Sequence, residues 1–369
     1  FNSWRCSRTS VSLMRTLMDG CLNPCPMASL VECVPNFSEG RDNTIISAIT
    51  DAMSAVDGVT LLDVDMGADF NRTVVTIVGP PESVLEAAII GTRVAIERID
   101  MANHTGEHAR MGAVDVVPFI PISGVSMADC VQLSIRYAQH VSSEFKLPVY
   151  LYAESARIEE RIRLPDIRRG EYEGLPTKIV DPDWIPDYGP AEFNPLMGAT
   201  ASGARNILIA YNVNLDTDDK SLANIIAGKL RTSGVLKKDE EGNKIIDSDG
   251  NPLRIPGRFQ SLQAAGWMFN EETAQVSMNL LDYTVTGLHS VTEAIREEAA
   301  LLGLSTTAGE LVGLVPLNAM LDSGGYYNED VSITGHRGLV DAAISGLQLD
   351  VLDSFIPENR IIEWAAGVN

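Results

Sequence analysis

The sequence predicts an α/β protein of the α+β kind, made of two ferredoxin-like βαββαβ subdomains. Three observations predict it. The chain has 369 residues, and single cores rarely grow past roughly 250–300 residues. Apolar patterns of period 2 and period 3.6 follow one another in the β-α-β-β-α-β order of the split βαβ unit, and they do so twice. Between the two runs, residues 153–205 are rich in charges, prolines and glycines and carry little periodicity.

The first unit opens with a short strand over 29–35. Asp42 caps a helix running to about Val56, where Asp57-Gly58 marks a turn. Residues 59–65 and 72–78 are β-branched strands. After Pro80-Pro81 comes a helix with Val84, Leu85, Ala88, Ile89, Ala95, Ile96 and Ile99 on one face. Residues 113–122 are the next strand. Ser126 and Asp129 open a helix by capping-box logic, and 149–152 adds a strand. The second unit repeats the order: strand 206–214, helix 221–232, strands 258–269 and 274–286, helix 290–302, strand 310–316. Residues 236–256 look like a polar hairpin insertion. The long stretch between the units is too distinctive for disorder and reads as a connection that lines a site.

Composition narrows the function. The chain is 45% hydrophobic and 21% charged, ordinary for a protein with a real core. No run of about 18 apolar residues suggests a membrane span. The net charge of −22, from 50 acids and 28 bases, opposes nucleic acid and anionic lipid as partners. Small anionic substrates remain open, because a pocket can gather arginines inside an acidic shell. Of five cysteines, Cys6, Cys21 and Cys25 lie near the start and only Cys33 and Cys130 in the body. That is no disulfide framework, and a reducing, cytoplasmic setting fits. Residues 1–26 hold Arg5, Arg8 and Arg15 with Asp19 as their only acid. They are expected to be a non-native or unstructured extension, a transit peptide being the alternative. The expected subdomains are therefore 27–205, including the connecting loop, and 206–369.

The sharpest constellation is His104-Thr105-Gly106-Glu107-His108-Ala109-Arg110-Met111-Gly112, in a chain with five histidines. Three readings compete. His104, Glu107 and His108 spell H-x-x-E-H, the pattern of a zinc hydrolase; that chemistry needs a helix, which Gly106 and Gly112 oppose. The histidines can instead be structural, bonding loop carbonyls. Or His108 is a metal-free general acid and base. Gly198 through Arg205 lacks the Gly-Lys-Ser/Thr ending of a phosphate loop and precedes a strand, so nucleotide binding is rejected.

At this segment the chain resembles the formiminotransferase family, whose catalytic histidine matches His108. Val31-Glu32-Cys33-Val34-Pro35-Asn36-Phe37-Ser38-Glu39-Gly40 is similar to that family's N-terminal signature. Leu62-Asp63-Val64-Asp65, Asn71-Arg72-Thr73, Asp115 through Pro121 and Leu311 through Pro316 match it as well. Asp187-Tyr188-Gly189-Pro190-Ala191-Glu192-Phe193-Asn194-Pro195-Leu196-Met197-Gly198 looks like its folate-binding loop. The similarity spans about residues 28–369. Ala109 departs from it, standing where proline is common, and the 236–256 insertion is unusual beside the mammalian form.

The resemblance implies transfer of the formimino group from N-formimino-L-glutamate to tetrahydrofolate, in histidine degradation, by a stand-alone enzyme without the cyclodeaminase domain. It implies tetrahydrofolate as cosubstrate, no metal, a folate groove between the subdomains and a homodimer. His108 would shuttle the proton. Asp65, at a strand end, would hold the cationic formimidinium, or else is a turn aspartate. Substrate and folate carboxylates favour arginines, with Arg72, Arg110, Arg161 and Arg163 the candidates and Arg110 the best placed. Gly189–Gly198 would bring backbone close to the pterin, with Phe193 for stacking, or else is a turn-rich linker. The rivals are formyl transfer between 5-formyltetrahydrofolate and glutamate, zinc hydrolysis, and folate binding without catalysis.

Overall fold

The computed structural model describes residues 29–247, 250–328 and 335–368, so the expectation for residues 1–26 lies outside the described residues. The first unit runs β1 (Leu30–Cys33), β2 (Asn36–Phe37), α1 (Asn43–Ser54), β3 (Thr60–Gly67), β4 (Arg72–Gly79), α2 (Pro81–Arg98), β5 (Val114–Ser123). Then α3 (Met127–Phe145) crosses over to β6 (Val149–Ala153). The caps read from the sequence form: the Asp42 side chain accepts from the Thr44 N–H, and Ser126 and Asp129 close a capping box.

β1 and β2 are one interrupted strand, paired to β4 on one side and β5 on the other. With β3 paired to β4, the first four positions are the antiparallel 2-3-1-4 order of a ferredoxin-like sheet. β7 (Thr200–Ala204) and β6 then extend it in parallel beyond β5. One face is dry: Val31, Cys33, Phe37, Val75 and Ile77 pack against Ile49, Met53, Ala88 and Tyr137 of α1–α3. Each fully buried Val or Ile there contributes roughly 1.5–3 kcal/mol.

The second unit is β8 (Ile209–Leu215), α6 (Lys220–Leu230), β9 (Val235–Leu236), β10 (Arg254–Ile255), β11 (Leu262–Met268), β12 (Ala274–Leu280), α7 (Leu288–Leu301) and β13 (Thr306–Val312). Its main sheet has the order β11-β12-β8-β13, all antiparallel. That is 2-3-1-4 again. β9 and β10 pair with each other at the base of the inserted hairpin. Helices α8 (Leu317–Tyr327) and α9 (His336–Leu347) follow. They add Met320, Val340, Ala343 and Leu347 to the core of this unit.

The units meet at a small apolar seam, where Leu30, Val78 and Ile120 of the first pack with Ile207 and Ile362. Three elements of the expected irregular connection are regular. Leu164–Arg168 (α4) and Glu171–Lys178 (α5) are helices, and Thr200–Ala204 is a buried strand. Their signals are weak for physical reasons: α4 is five residues, α5 contains Gly174 and Pro176, and β7 reads Thr-Ala-Ser-Gly-Ala. Small residues are what this slot admits, since a Cβ on Gly203 would lie 2.2 Å from the Tyr152 carbonyl oxygen. The last strand also begins and ends four residues earlier than the apolar run implied, because Gly313 turns the chain at φ +79°.

Candidate active site

Because side chains alternate along a strand, the residues of β3 and β4 that do not face α1–α3 share the other face of the sheet. Arg72, Val74 and Thr76 lie opposite Gly67, Asp65 and Asp63 there. Asn36 joins them from β2, opposite Val74. Its amide oxygen accepts from Arg72 Nε at 2.9 Å, which fixes the direction of that guanidinium. The strip continues through Glu32 to a cavity of about 220 Å³ at the seam. Glu32, Asp63, Thr76 and Arg205 line it from one unit, Ala210, Val312 and Leu314 from the other. Burial pushes the Glu32 carboxyl up to about 7.

The histidine-bearing loop lies over the Arg72 end of this strip. A short 3-10 turn, Met101–Asn103, ends at His104, and residues 104–110 are irregular. His104 and His108 therefore share no helical face. His104 is held at both ring nitrogens: Nε2 sits 3.0 Å from the Asn71 carbonyl oxygen, and Nδ1 accepts from Arg110 Nε at 3.3 Å. A Nε2–H tautomer satisfies both contacts, leaving neither nitrogen for a metal. Glu107 is exposed. Among the described residues, no cluster of three His, Cys, Asp or Glu side chains is arranged to hold a cation.

His108 stands in a different field. It is half-buried, and burial together with the guanidiniums of Arg72, Arg168 and Arg110 pulls its imidazole down to about 4. A half-buried neutral imidazole beside three cations is a proton acceptor that does not hold its proton at neutral pH. Arg168 comes from the end of α4, pairs with the buried Asp115, and keeps Asp115 in contact with the loop through the Met111 N–H at 3.0 Å.

The structure brings some expected residues together and keeps others apart. Arg72 neighbours His108 and feels the field of Asp65; Asp65 itself is exposed on β3. Arg110 is buried and bonds Glu173 at 2.6 and 2.9 Å and Glu171 at 3.3 Å. Its charge is already matched, and it braces the loop. With His104, Thr105 and Gly106 these residues line an open cleft of about 540 Å³ that does not reach His108. Arg161 bonds Asp187 at 2.8 Å and the carbonyls of Asp183 and Ile185; its role is to fold its own loop. Arg163 is exposed, 3.8 Å from Asp166, and is not one of the guanidiniums that lower His108.

Residues 189–198 cross to the histidine loop. Gly112 and Gly198 form an isolated bridge, and the Met101 and Ala113 N–H groups bond the carbonyls of Leu196 and Met197. Phe193 packs on Tyr172 at 5.4 Å between ring centres, and the Tyr172 hydroxyl donates to the Pro195 carbonyl at 2.6 Å. Pro190 and Met197 are half-buried, whereas Ala191, Glu192, Pro195 and Leu196 face solvent. The bridge requires glycine: a Cβ on Gly112 would lie 2.4 Å from the carbonyl oxygens of both Met197 and Ala199. Gly112→Ala is expected to separate the two loops and destabilise the protein by about 1–3 kcal/mol, the usual range for a forced backbone shift. Urea unfolding measures it, and an unchanged midpoint would contradict the tight contact.

Sequence reasoning missed Arg168, Glu171 and Glu173, and gave Asn36 and Asp115 no role. The only available signal for Arg168 was its place in a charged run between Pro165 and Gly170, which does not distinguish it from Arg169.

Comparison with known proteins bears on this arrangement. Residues 30–205 match the family described as the formiminotransferase domain, N-terminal subdomain, and residues 210–367 match the formiminotransferase domain. The chain is 46% identical over 92% of its length to formimidoyltransferase-cyclodeaminase of Rattus norvegicus, and spans 60% of that protein. It is 38% identical over 87% of its length to glutamate formimidoyltransferase of Streptococcus pyogenes serotype M1, and covers 100% of it. The protein of that name from Thermoplasma acidophilum is 40% identical over 81% of this chain, with 92% of its own length covered. The chain belongs to the formiminotransferase domain family.

Proposed function

We propose that this chain transfers the formimino group from N-formimino-L-glutamate to tetrahydrofolate, giving 5-formiminotetrahydrofolate and glutamate, as a step of histidine degradation. The observation that carries the reading is His108, uncharged and ringed by Arg72, Arg168 and Arg110. In this mechanism the N5 amine of tetrahydrofolate attacks the amidine carbon and a tetrahedral adduct forms. His108 takes the proton from N5 and returns it to the glutamate nitrogen as that C–N bond breaks. One residue thus serves as base and then as acid. Arg72 and Arg168 are the ligands for the donor's carboxylates, and Asp65 meets the formimidinium through a charge-assisted hydrogen bond. The donor's own charge completes the device: carboxylates paired with the guanidiniums weaken the positive field on His108 and raise its proton affinity when the proton must be taken.

Tetrahydrofolate is the cosubstrate in this reading, with its pterin near 189–198 and the remainder along the polar strip toward the seam. No metal takes part, the partner chain is a second copy in a homodimer, and the setting is cytoplasmic. The test is product formation from tetrahydrofolate with formiminoglutamate or with glutamate plus 5-formyltetrahydrofolate, with and without a chelator. Chelator-insensitive turnover of the formimino donor is expected. No turnover of that donor overturns the reading, and turnover of the formyl donor alone replaces it.

A further inference from the structure

The field at His108 depends on where the guanidiniums of Arg72, Arg168 and Arg110 sit, and one helix reaches two of the three. From its first turn, α5 holds Arg110 through Glu171 and Glu173. From its last residue it holds the segment that carries Arg168. Lys178 Nζ donates to the carbonyls of Ile167 at 2.5 Å, Arg169 at 3.1 Å and Asp166 at 3.4 Å. An ammonium has three N–H donors, and here each has a carbonyl. These carbonyls belong to the end of α4 and the residue after it, where a helix lacks partners of its own and favours a cation.

α4 has little else to hold it. It is five residues long, has no side-chain cap at its start, and buries only Ile167. A helix of that length has no stability of its own. The Lys178 ammonium lies 3.9 Å from the centre of the Trp184 ring, which adds a cation–π contact and orients the stem. The position is electrostatically unfavourable, since burial and the Arg169 and Arg161 guanidiniums push Lys178 down to about 8 against the opposing pull of Asp166. A lysine kept in such a place, with every donor used, has a structural task.

We propose that Lys178 is a positioning residue: by tying the terminal carbonyls of α4 it fixes Arg168 against Asp115, and so sets the carboxylate affinity and the proton affinity of the site around His108. This rests on the reading of His108 as proton carrier and Arg168 as carboxylate ligand. It assigns to a residue outside the site a share of both properties.

Lys178→Met keeps an apolar stem on Trp184 and removes the donors, whereas Lys178→Arg restores charge and donors. NMR titration of the histidine rings in the full chain, with His108 assigned by His108→Gln, is the first measurement. The expected result for Lys178→Met is a His108 pKa moved from near 4 toward the ordinary value of about 6.5. KM for formiminoglutamate should rise about 10-fold, the size of one charged hydrogen bond, with a smaller change in kcat and recovery in Lys178→Arg. Added to Arg168→Met, Lys178→Met should have no further effect, since residues acting through one another do not add. An unmoved His108 pKa in a folded variant, whose His140 and His289 signals stay in place, overturns the proposal. So does full additivity with Arg168→Met. A moved pKa with unchanged turnover supports the positioning role and instead overturns the reading of His108 as proton carrier.

Discussion

His108→Ala is expected to lower kcat/KM by about 10²–10⁴-fold, the range for loss of one general acid–base group, with or without chelator. The pH dependence gives a sharper test. A protonated imidazole cannot take the N5 proton, so activity falls toward acid as His108 gains its own. In the free enzyme, burial and the Arg72, Arg168 and Arg110 guanidiniums hold His108 near 4. The acid limb of kcat/KM, which reports the free enzyme, should therefore lie far below the ordinary histidine value of about 6.5. The limb of kcat reports the bound complex and should lie at higher pH, because the donor's carboxylates offset part of the arginine field. Both limbs should vanish in His108→Ala. Wild-type kcat/KM in the variant, or a kcat limb more acidic than that of kcat/KM, would remove His108 from the role assigned to it.

The fold was legible where periodicity and caps agree. The two βαββαβ runs, the Asp42 cap and the Ser126–Asp129 box follow from residues adjacent in sequence, and local chemistry decides them. β7 was not legible, because Thr200–Ala204 is chosen for smallness by the close approach of β6 rather than for β propensity. α5 was hidden by Gly174 and Pro176; it survives because Glu171, Tyr172, Glu173 and Lys178 each have a tertiary partner.

The site shows the same division. His108 stood out by the density of ionisable groups around it in sequence. The arginines did not, because a guanidinium's role is fixed by what else reaches it. Arg110, two residues from His108, is matched by two glutamates 61 and 63 residues away. Arg161 is enclosed by the carbonyls of its own loop. Arg168, 60 residues from His108 along the chain, is the one delivered to it by a helix that the sequence barely announces.

Arg168→Met is expected to raise KM for formiminoglutamate by about 10–100-fold, which corresponds to roughly 1.5–3 kcal/mol for a hydrogen bond to a charged group. Arg168 pairs with Asp115 through one terminal nitrogen, and 16% of its side chain stays exposed. One guanidinium thus anchors on the protein and still presents part of itself to a ligand. The same substitution leaves Asp115 as a buried carboxylate without its cation. Breaking such pairs costs about 3–5 kcal/mol when both partners are buried, and less here because Arg168 keeps 16% of its side chain exposed. The two effects separate in Arg168→Met/Asp115→Asn, which removes the stranded charge along with its partner. Stability measured by urea unfolding should largely return in the double variant, whereas KM should stay high and the His108 pKa should stay raised. If KM recovers together with stability, Arg168 serves Asp115 alone, and the donor's carboxylates are held by Arg72 without it.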